Sequence, residues 1–242
     1  MRYAVLGDIH GNSSALEAVL ADCKSEDIDR YLCVGDIVGY GANPVDCIAL
    51  IREKQVISVC GNHDCAVYGV FQTTYFNPHA AHAITWTRNH LNSSELEFLA
   101  SLPCVIYEGG IVLVHGSLEA PEQFRYISNG RTARPTLQRL NEHTVCFVGH
   151  FHIPCYYWLE GNEVVASDET AVSTTDKARI VANVGSVGQP RDGDPRAAYC
   201  IYDERAGTIT VKRVAYDIRK TADAILEVGL SGMLASRLFA GM

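Results

Sequence analysis

No apolar run in the 242-residue sequence approaches the roughly 20 residues that a helical membrane span needs, which excludes such a span. The chain also lacks a charged leading segment followed by a long apolar stretch. Arg2-Tyr3-Ala4-Val5-Leu6 already reads as a strand, and a cytoplasmic location is the expectation. Positive charge is scarce, with 20 Lys and Arg against 28 Asp and Glu and a formal net charge of -8. An extended nucleic-acid surface needs clustered cations, so this balance argues against one; a phosphate-bearing substrate would be held by metal ions and a few local cations. The nine cysteines show no C-x-x-C spacing and are odd in number, which supports neither a disulfide framework nor a zinc ribbon. Cys33, Cys60, Cys146 and Cys200 fall within apolar runs, where a free thiol behaves as a small buried hydrophobe. Cys65 differs in adjoining a polar motif. Internal repeats and low-complexity tracts are also missing.

Apolar sequence is plentiful at 48%, enough for a substantial core in one domain spanning residues 1–242. Five strand-like runs each stop at a Gly or His that delivers a metal-ligand type of side chain. Tyr3 to Leu6 precedes Gly7-Asp8-Ile9-His10, Tyr31 to Val34 precedes Gly35-Asp36, and Val56 to Cys60 precedes Gly61-Asn62-His63-Asp64. Ile111 to Val114 precedes His115-Gly116, and Val145 to Val148 precedes Gly149-His150-Phe151-His152. Ligands of open α/β sheets gather at the carboxyl ends of strands, so these side chains are expected to converge on one rim. The glycines suit the tight turns that such exits require.

Residues 13–24 carry Leu16, Val19 and Leu20 at helical spacing, with Asn12 or Ser13 as N-cap; residues 44–54 repeat the pattern with Asn43 as cap and Pro44 at the first helical position. Two strand-helix units followed by a third strand predict a parallel start to the sheet. Helices are expected over 78–91 and 93–100. Later strands come in pairs around Glu108-Gly109-Gly110, Glu160-Gly161-Asn162 and Arg205-Ala206-Gly207, which predict hairpins. The polar stretch 167–177 reads as a flexible loop, and residues 217–242 as a C-terminal helical segment that packs on its own domain. The expected architecture is α/β, a sandwich of mixed sheets with outer helices.

The carboxylates Asp8 and Asp36 with the imidazoles of His10, His115, His150 and His152 suit Mn, Fe, Zn or related ions such as Ni better than Ca or Mg alone. The donors outnumber the positions around one tetrahedral ion. Two ions about 3.5–4 Å apart, sharing one carboxylate, account for the surplus and predict metal-assisted hydrolysis.

In order along the chain, GDIHGN at 7–12, GD at 35–36, GNHD at 61–64, HG at 115–116 and GHFH at 149–152 resemble the calcineurin-like metallophosphoesterases. The motifs span about the first two-thirds of the chain and are jointly specific. The resemblance implies a four-layer αββα sandwich of two mixed sheets, and two divalent or mixed-valence metal ions. One would be held by Asp8, His10, Asp36 and His152, the other by Asp36, Asn62, His115 and His150, with Asp36 as the bridge. It further implies attack by a metal-bridging hydroxide on a phosphodiester or phosphomonoester. His63 would contact the scissile phosphate and protonate the leaving oxygen, and Asp64 would orient that imidazole.

Residues 183–196 form a second dense stretch, rich in Gly and Pro. They read either as a long shaped turn or as a loop whose backbone NH groups and Arg191 approach the substrate, with Arg196 second to Arg191. His79, His82, His90 and His143 lie outside the motifs and receive no role. Protein Ser/Thr phosphatases and symmetrical dinucleoside tetraphosphatases of the superfamily carry GDxVDRG and GNHE, whereas this chain has Gly35-Asp36-Ile37-Val38-Gly39-Tyr40-Gly41 and GNHD. The chain looks more like the small phosphodiesterase-type prokaryotic branch, with a small phosphate ester as substrate. A non-catalytic metal-binding scaffold for protein interaction is the alternative from another class.

Overall fold

The computed structural model describes residues 1–142 and 144–242; His143 lies outside the described residues. The chain opens with β1 (Arg2–Leu6), α1 (Ser13–Asp22), β2 (Arg30–Cys33), α2 (Pro44–Glu53), β3 (Ile57–Ser58), α3 (Asn62–Tyr68), α4 (Pro78–His90) and α5 (Ser93–Ser101). It continues with β4 (Val105–Glu108), β5 (Ile111–Val114), α6 (Gly130–Arg139), β6 (Thr144–Val148), β7 (Cys155–Glu160), β8 (Glu163–Ser167), β9 (Ala171–Ser173) and β10 (Arg179–Asn183). The last elements are β11 (Ala197–Asp203), β12 (Thr208–Val214), α7 (Ile218–Glu227) and α8 (Gly232–Ala240).

The strands form two six-stranded mixed sheets, ordered β3-β2-β1-β11-β12-β9 and β4-β5-β6-β10-β7-β8. In the first, β1, β2 and β3 run parallel, with Leu6 opposite Cys33 and Cys33 opposite Ser58, and the later strands add antiparallel. In the second, β5, β6 and β10 are parallel and the outer strands antiparallel. Side chains alternate across β1: Tyr3 and Val5 join the cluster between the sheets, while Ala4 and Leu6 face the cluster containing Leu16, Val19, Ile48 and Ile51 of α1 and α2. Burial on both faces explains why the strand reads as one unbroken apolar run. The far face of the second sheet, through Val112, Cys146 and Val181, is covered by Ala133 and Leu137 of α6. Helices therefore flank the paired sheets.

Helix starts follow local chemistry. Asn12 caps α1 by accepting from the Ala15 N–H at 3.1 Å, and Asn77 caps α4, where Pro78 sits in the first turn. Asn92 and Glu95 exchange bonds as a capping box at α5, one residue before the expected start. The C-terminal segment resolves into α7 and α8, whose Ile225, Leu234 and Leu238 pack with Ala80 and Ala83 of α4.

Two expectations need correcting. Residues 167–177 contain β9, which pairs with the edge strand β12, so a polar composition concealed a strand whose backbone is satisfied by its neighbour. The third strand is only Ile57–Ser58, because the Cys60 N–H leaves the sheet to donate to the Pro103 carbonyl at 2.9 Å. Beyond these, Asn62, His63 and Asp64 form the first turn of α3 with Gly61 as its N-cap, and the mostly polar α6 accommodates Pro135 within its length.

Candidate metal centre

Asp8 and His10 follow β1, Asp36 follows β2, and Asn62 and His63 open α3 just beyond β3. His115 follows β5, and His150 and His152 follow β6. The structure brings all seven ligand-type residues together across the two sheets, none more than 7% exposed. Asp8, His10, Asp36, His150 and His152 all adopt positive φ, between 50° and 66°, a region that non-glycine residues rarely occupy. Backbone bonds hold these exits in place: Asp8 N–H donates to Gly35 O, His10 N–H to Asp36 O, and Gly11 N–H to Ile37 O, at 2.9–3.0 Å.

Three overlapping groups share the centre among the described residues. Asp8, His10 and His152 form one, Asp36, His115 and His150 another, and His10, Asp36 and His63 a third that joins them; within each, one donor atom per residue lies within 4.8 Å of the others. His10 Nε2 is 3.1 Å from His152 Nε2, and His152 Nε2 is 3.3 Å from Asp8 Oδ1. On the other side His115 Nε2 is 3.2 Å from His150 Nδ1, 3.1 Å from Asn62 Oδ1 and 3.3 Å from Asp36 Oδ2. Asp36 Oδ2 also lies 3.6 Å from His10 Nε2, so it stands between the groups. That oxygen is buried without a hydrogen-bond partner, while Asp36 Oδ1 accepts the His63 backbone N–H at 2.9 Å. Gly61 permits this approach, since a Cβ there would sit 2.0 Å from Asp36 Oδ1.

The imidazoles are oriented from outside. His115 Nδ1 can donate to Val34 O at 2.8 Å, His152 Nδ1 to Gln189 O at 2.6 Å, and His10 Nδ1 to Val38 O at 3.3 Å. A donating Nδ1 turns the Nε2 lone pair inward, the usual arrangement behind a metal-ligating histidine. Burial pushes His10, His150 and His152 below their ordinary pKa, which favours the neutral form that binds metal. His115 moves the other way: burial alone would lower it, but the Asp36 carboxylate overrides burial and raises it to about 10. In return His115 and then His63 overcome burial of Asp36 and hold its carboxyl well below the ordinary range. Buried carboxylate, imidazole and amide donors gathered in this way can hold metal ions.

His63 lies at the second position of α3, and burial brings its imidazole to about 4. Its Nδ1 is buried and unpaired against Gly39, where a Cβ would come within 2.4 Å, so Nε2 is the ring nitrogen left for the cleft that His63 lines. Asp64 does not orient this ring. Its carboxylate instead accepts the Gly61 N–H at 3.0 Å and the Val38 N–H at 3.1 Å, capping α3 and tying it to the loop after β2. Burial, then the Asp36 charge, raises the Asp64 carboxyl to about 7.

Arg191 lines the same cleft of about 640 Å³. Its Nε and Nη2 both donate to the neutral Gln189 Oε1, and the guanidinium stands 6.0 Å from the centre of the Tyr40 ring. The rest of the 183–196 stretch is occupied with structure rather than substrate: Val187 and Gly188 N–H donate to Gly7 and Asp8 O, and Gln189 N–H to Ser186 Oγ. Arg196 pairs with Asp194 at 2.6 Å and does not line the cleft. His79 and His82 lie on α4, also outside its lining. Cys65 packs with Cys60 and Phe124 in an apolar cluster. Tyr40, Gln189 and Tyr126 were not singled out from sequence, and only Gln189 fell within a stretch marked by composition. Tyr40, at φ 60°, lies 4.6 Å from His10 and 4.4 Å from His63 between ring centres.

The model of the calcineurin-like phosphoesterase superfamily domain matches residues 1–207. An uncharacterised protein of Methanocaldococcus jannaschii is 41% identical over 242 residues, covering 98% of this chain and 97% of its own. The crystal structure of a metallophosphoesterase from Sphaerobacter thermophilus superposes with a TM-score of 0.87 at 39% identity, over 100% of both chains. Serine/threonine-protein phosphatase 1 of Salmonella typhimurium is similar only locally, 39% identical over 61 residues, which is 25% of this chain and 28% of the phosphatase.

Proposed function

This chain belongs to the calcineurin-like phosphoesterase superfamily, and from that premise we propose that it is a two-metal hydrolase of small phosphodiesters or phosphomonoesters. One observation carries the reading: Asp36 Oδ2 is buried with no hydrogen-bond partner, 3.6 Å from His10 Nε2 and 3.3 Å from His115 Nε2, where a carboxylate shared by two cations would stand. Asp8, His10, Asp36 and His152 would hold one ion, and Asp36, Asn62, His115 and His150 the other. The mixed N/O donor set suits Mn, Fe, Zn or Ni. When bound, two such ions lower the pKa of a water and offset charge on the phosphoryl group.

The chain's own residues do the rest. His63 offers Nε2 to a phosphoryl or leaving-group oxygen at the cleft. It is neutral in the free protein, and the negative charge of a bound phosphate raises its proton affinity, so the proton is recruited with the substrate. Arg191 brings a guanidinium anchored on a neutral amide, which leaves its charge for the equatorial oxygens of the phosphate. The cleft volume of about 640 Å³ falls in the size range of small-molecule sites, which favours a small ester.

The test is hydrolysis of bis-p-nitrophenyl phosphate and p-nitrophenyl phosphate by chelator-stripped protein reconstituted separately with Mn, Fe, Zn, Ni and Mg. Metal-dependent turnover that is lost in His63→Ala is expected. Two bound ions with no turnover of either ester would sink the reading and favour a scaffold.

A further inference from the structure

The cleft carries aromatic rings that the metal chemistry does not use. Phe76 meets His63 edge to face at 4.9 Å between ring centres, Phe71 meets Phe76 at 5.9 Å and Phe124 at 5.2 Å, and Phe124 meets His115 at 5.8 Å. These contacts make an apolar band from one side of the metal-type cluster to the other, in the geometry that ring quadrupoles favour.

Tyr126 is held differently. Its ring lies flat on His150, 3.8 Å between centres and 12° between planes, so one face is covered. Yet the residue lines the cleft and remains 50% exposed. A ring stacked on one face, in a residue half exposed along the cleft, offers a stacking platform for a planar group. Asn77, Gln123 and Arg125 line the same space and supply polar atoms around it. The volume of about 640 Å³ exceeds what a phosphate alone would fill and falls within the range of small-molecule pockets.

Resting on the phosphoesterase reading, we infer that this part of the cleft is a subsite for the organic group of the ester and that it selects a planar aromatic one, stacked on Tyr126. A saturated chain or ring could bury apolar surface there but has no flat face to match the tyrosine. The planar ring could belong to an aryl ester or to a nucleoside, and the two place the ring at different distances from phosphorus.

Phosphonates separate binding from turnover, because their C–P bond is not an ester. Affinities of Mn-loaded protein for methylphosphonate, cyclohexylmethylphosphonate, benzylphosphonate and the phosphonate analogue of adenosine 5′-monophosphate would be measured by calorimetry at equal metal content. At least one ring-bearing ligand should bind roughly tenfold more tightly than the cyclohexyl compound. The tighter of the two identifies an aryl or a nucleoside source. Tyr126→Ala should reduce that ratio to about twofold or less, and Tyr126→Phe should retain it. Three results would overturn the inference: equal affinity for flat and saturated rings, a ratio that survives Tyr126→Ala, or no phosphonate binding at all. Ring-selective binding without ester turnover would instead count against the hydrolase reading alone.

Discussion

Five buried ligand-type residues in the left-handed backbone region cost about 1–3 kcal/mol each, and such strain persists only where surrounding bonds over-determine it. Here the bonds between the exits of β1 and β2 do so, and the outcome is a set of side chains aimed inward. Asp36 has the most to lose. Asp36→Asn should release both ions, read by elemental analysis against protein concentration, and two ions per chain in that variant would refute the bridging role. His63→Ala should behave oppositely, keeping its metal while kcat falls roughly 10²–10⁴-fold. Unchanged turnover would remove His63 from the chemistry. The donor types and their order were visible in the sequence, because each sits at an abrupt end of an apolar run. Tyr126 was not, since an isolated tyrosine has no pattern to betray its neighbours, and Tyr40 stood within the Gly35–Gly41 run, which carries no sign of the ring contacts it makes.

At the scale of elements, α3 shows how a motif can hide a helix. Gly61-Asn62-His63-Asp64 reads as a strand exit, yet Asp64 at its third helical position takes the Gly61 N–H and so starts the helix that presents Asn62 and His63. Asp64→Ala should therefore act on stability, lowering it by about 1–3 kcal/mol through two buried N–H groups left unpaired, measured by thermal or urea unfolding. If Asp64→Ala unfolded like the parent and lost only kcat, a direct role beside the imidazole would be restored. The loop from Asn183 to Arg196 plays a comparable supporting part. Asn183 donates to Gly149 O at 2.8 Å and Ser186 to Asp8 O at 2.7 Å, so residues far along the chain hold the first and last metal-type motifs together.

Across the whole molecule, concentrating imidazoles in the interior makes the metal-free protein sensitive to acid. His10, His63, His150 and His152 have folded-state pKa values below the ordinary 6.5, so between that value and about 4, where His63 titrates, the unfolded chain binds more protons and stability falls as pH falls. Asp64, raised to about 7, opposes this, because its folded form holds the extra proton in the same window. Four groups against one leave a net loss, to which His63 alone contributes roughly 3 kcal/mol. The melting temperature of chelator-treated protein should drop from pH 6.5 to pH 4, and bound metal should enlarge the drop because protons and ions compete for the same nitrogens. A melting temperature flat across that range would contradict the buried, neutral state of these rings.

Sequence alone determined the paired sheets and flanking helices in outline, and which residue types end each early strand, because apolar periodicity and turn chemistry are local properties of the chain. It could not assign β9, three residues within a polar stretch whose backbone is paired by distant β12, or α6, a mostly polar helix with Pro135 inside it. The resemblance implied that Asp64 orients His63, whereas its carboxylate accepts the Gly61 and Val38 N–H groups, a pairing set by how α3 packs against the loop after β2. Tertiary structure alone decided that Asp36 stands between His10, at the end of a strand of the first sheet, and His115, at the end of a strand of the second, that Gln189 orients His152 and anchors Arg191, and that Tyr126 stacks on His150 beside them. Each of those facts depends on distances between strands far apart in the chain, which only packing of the two sheets sets.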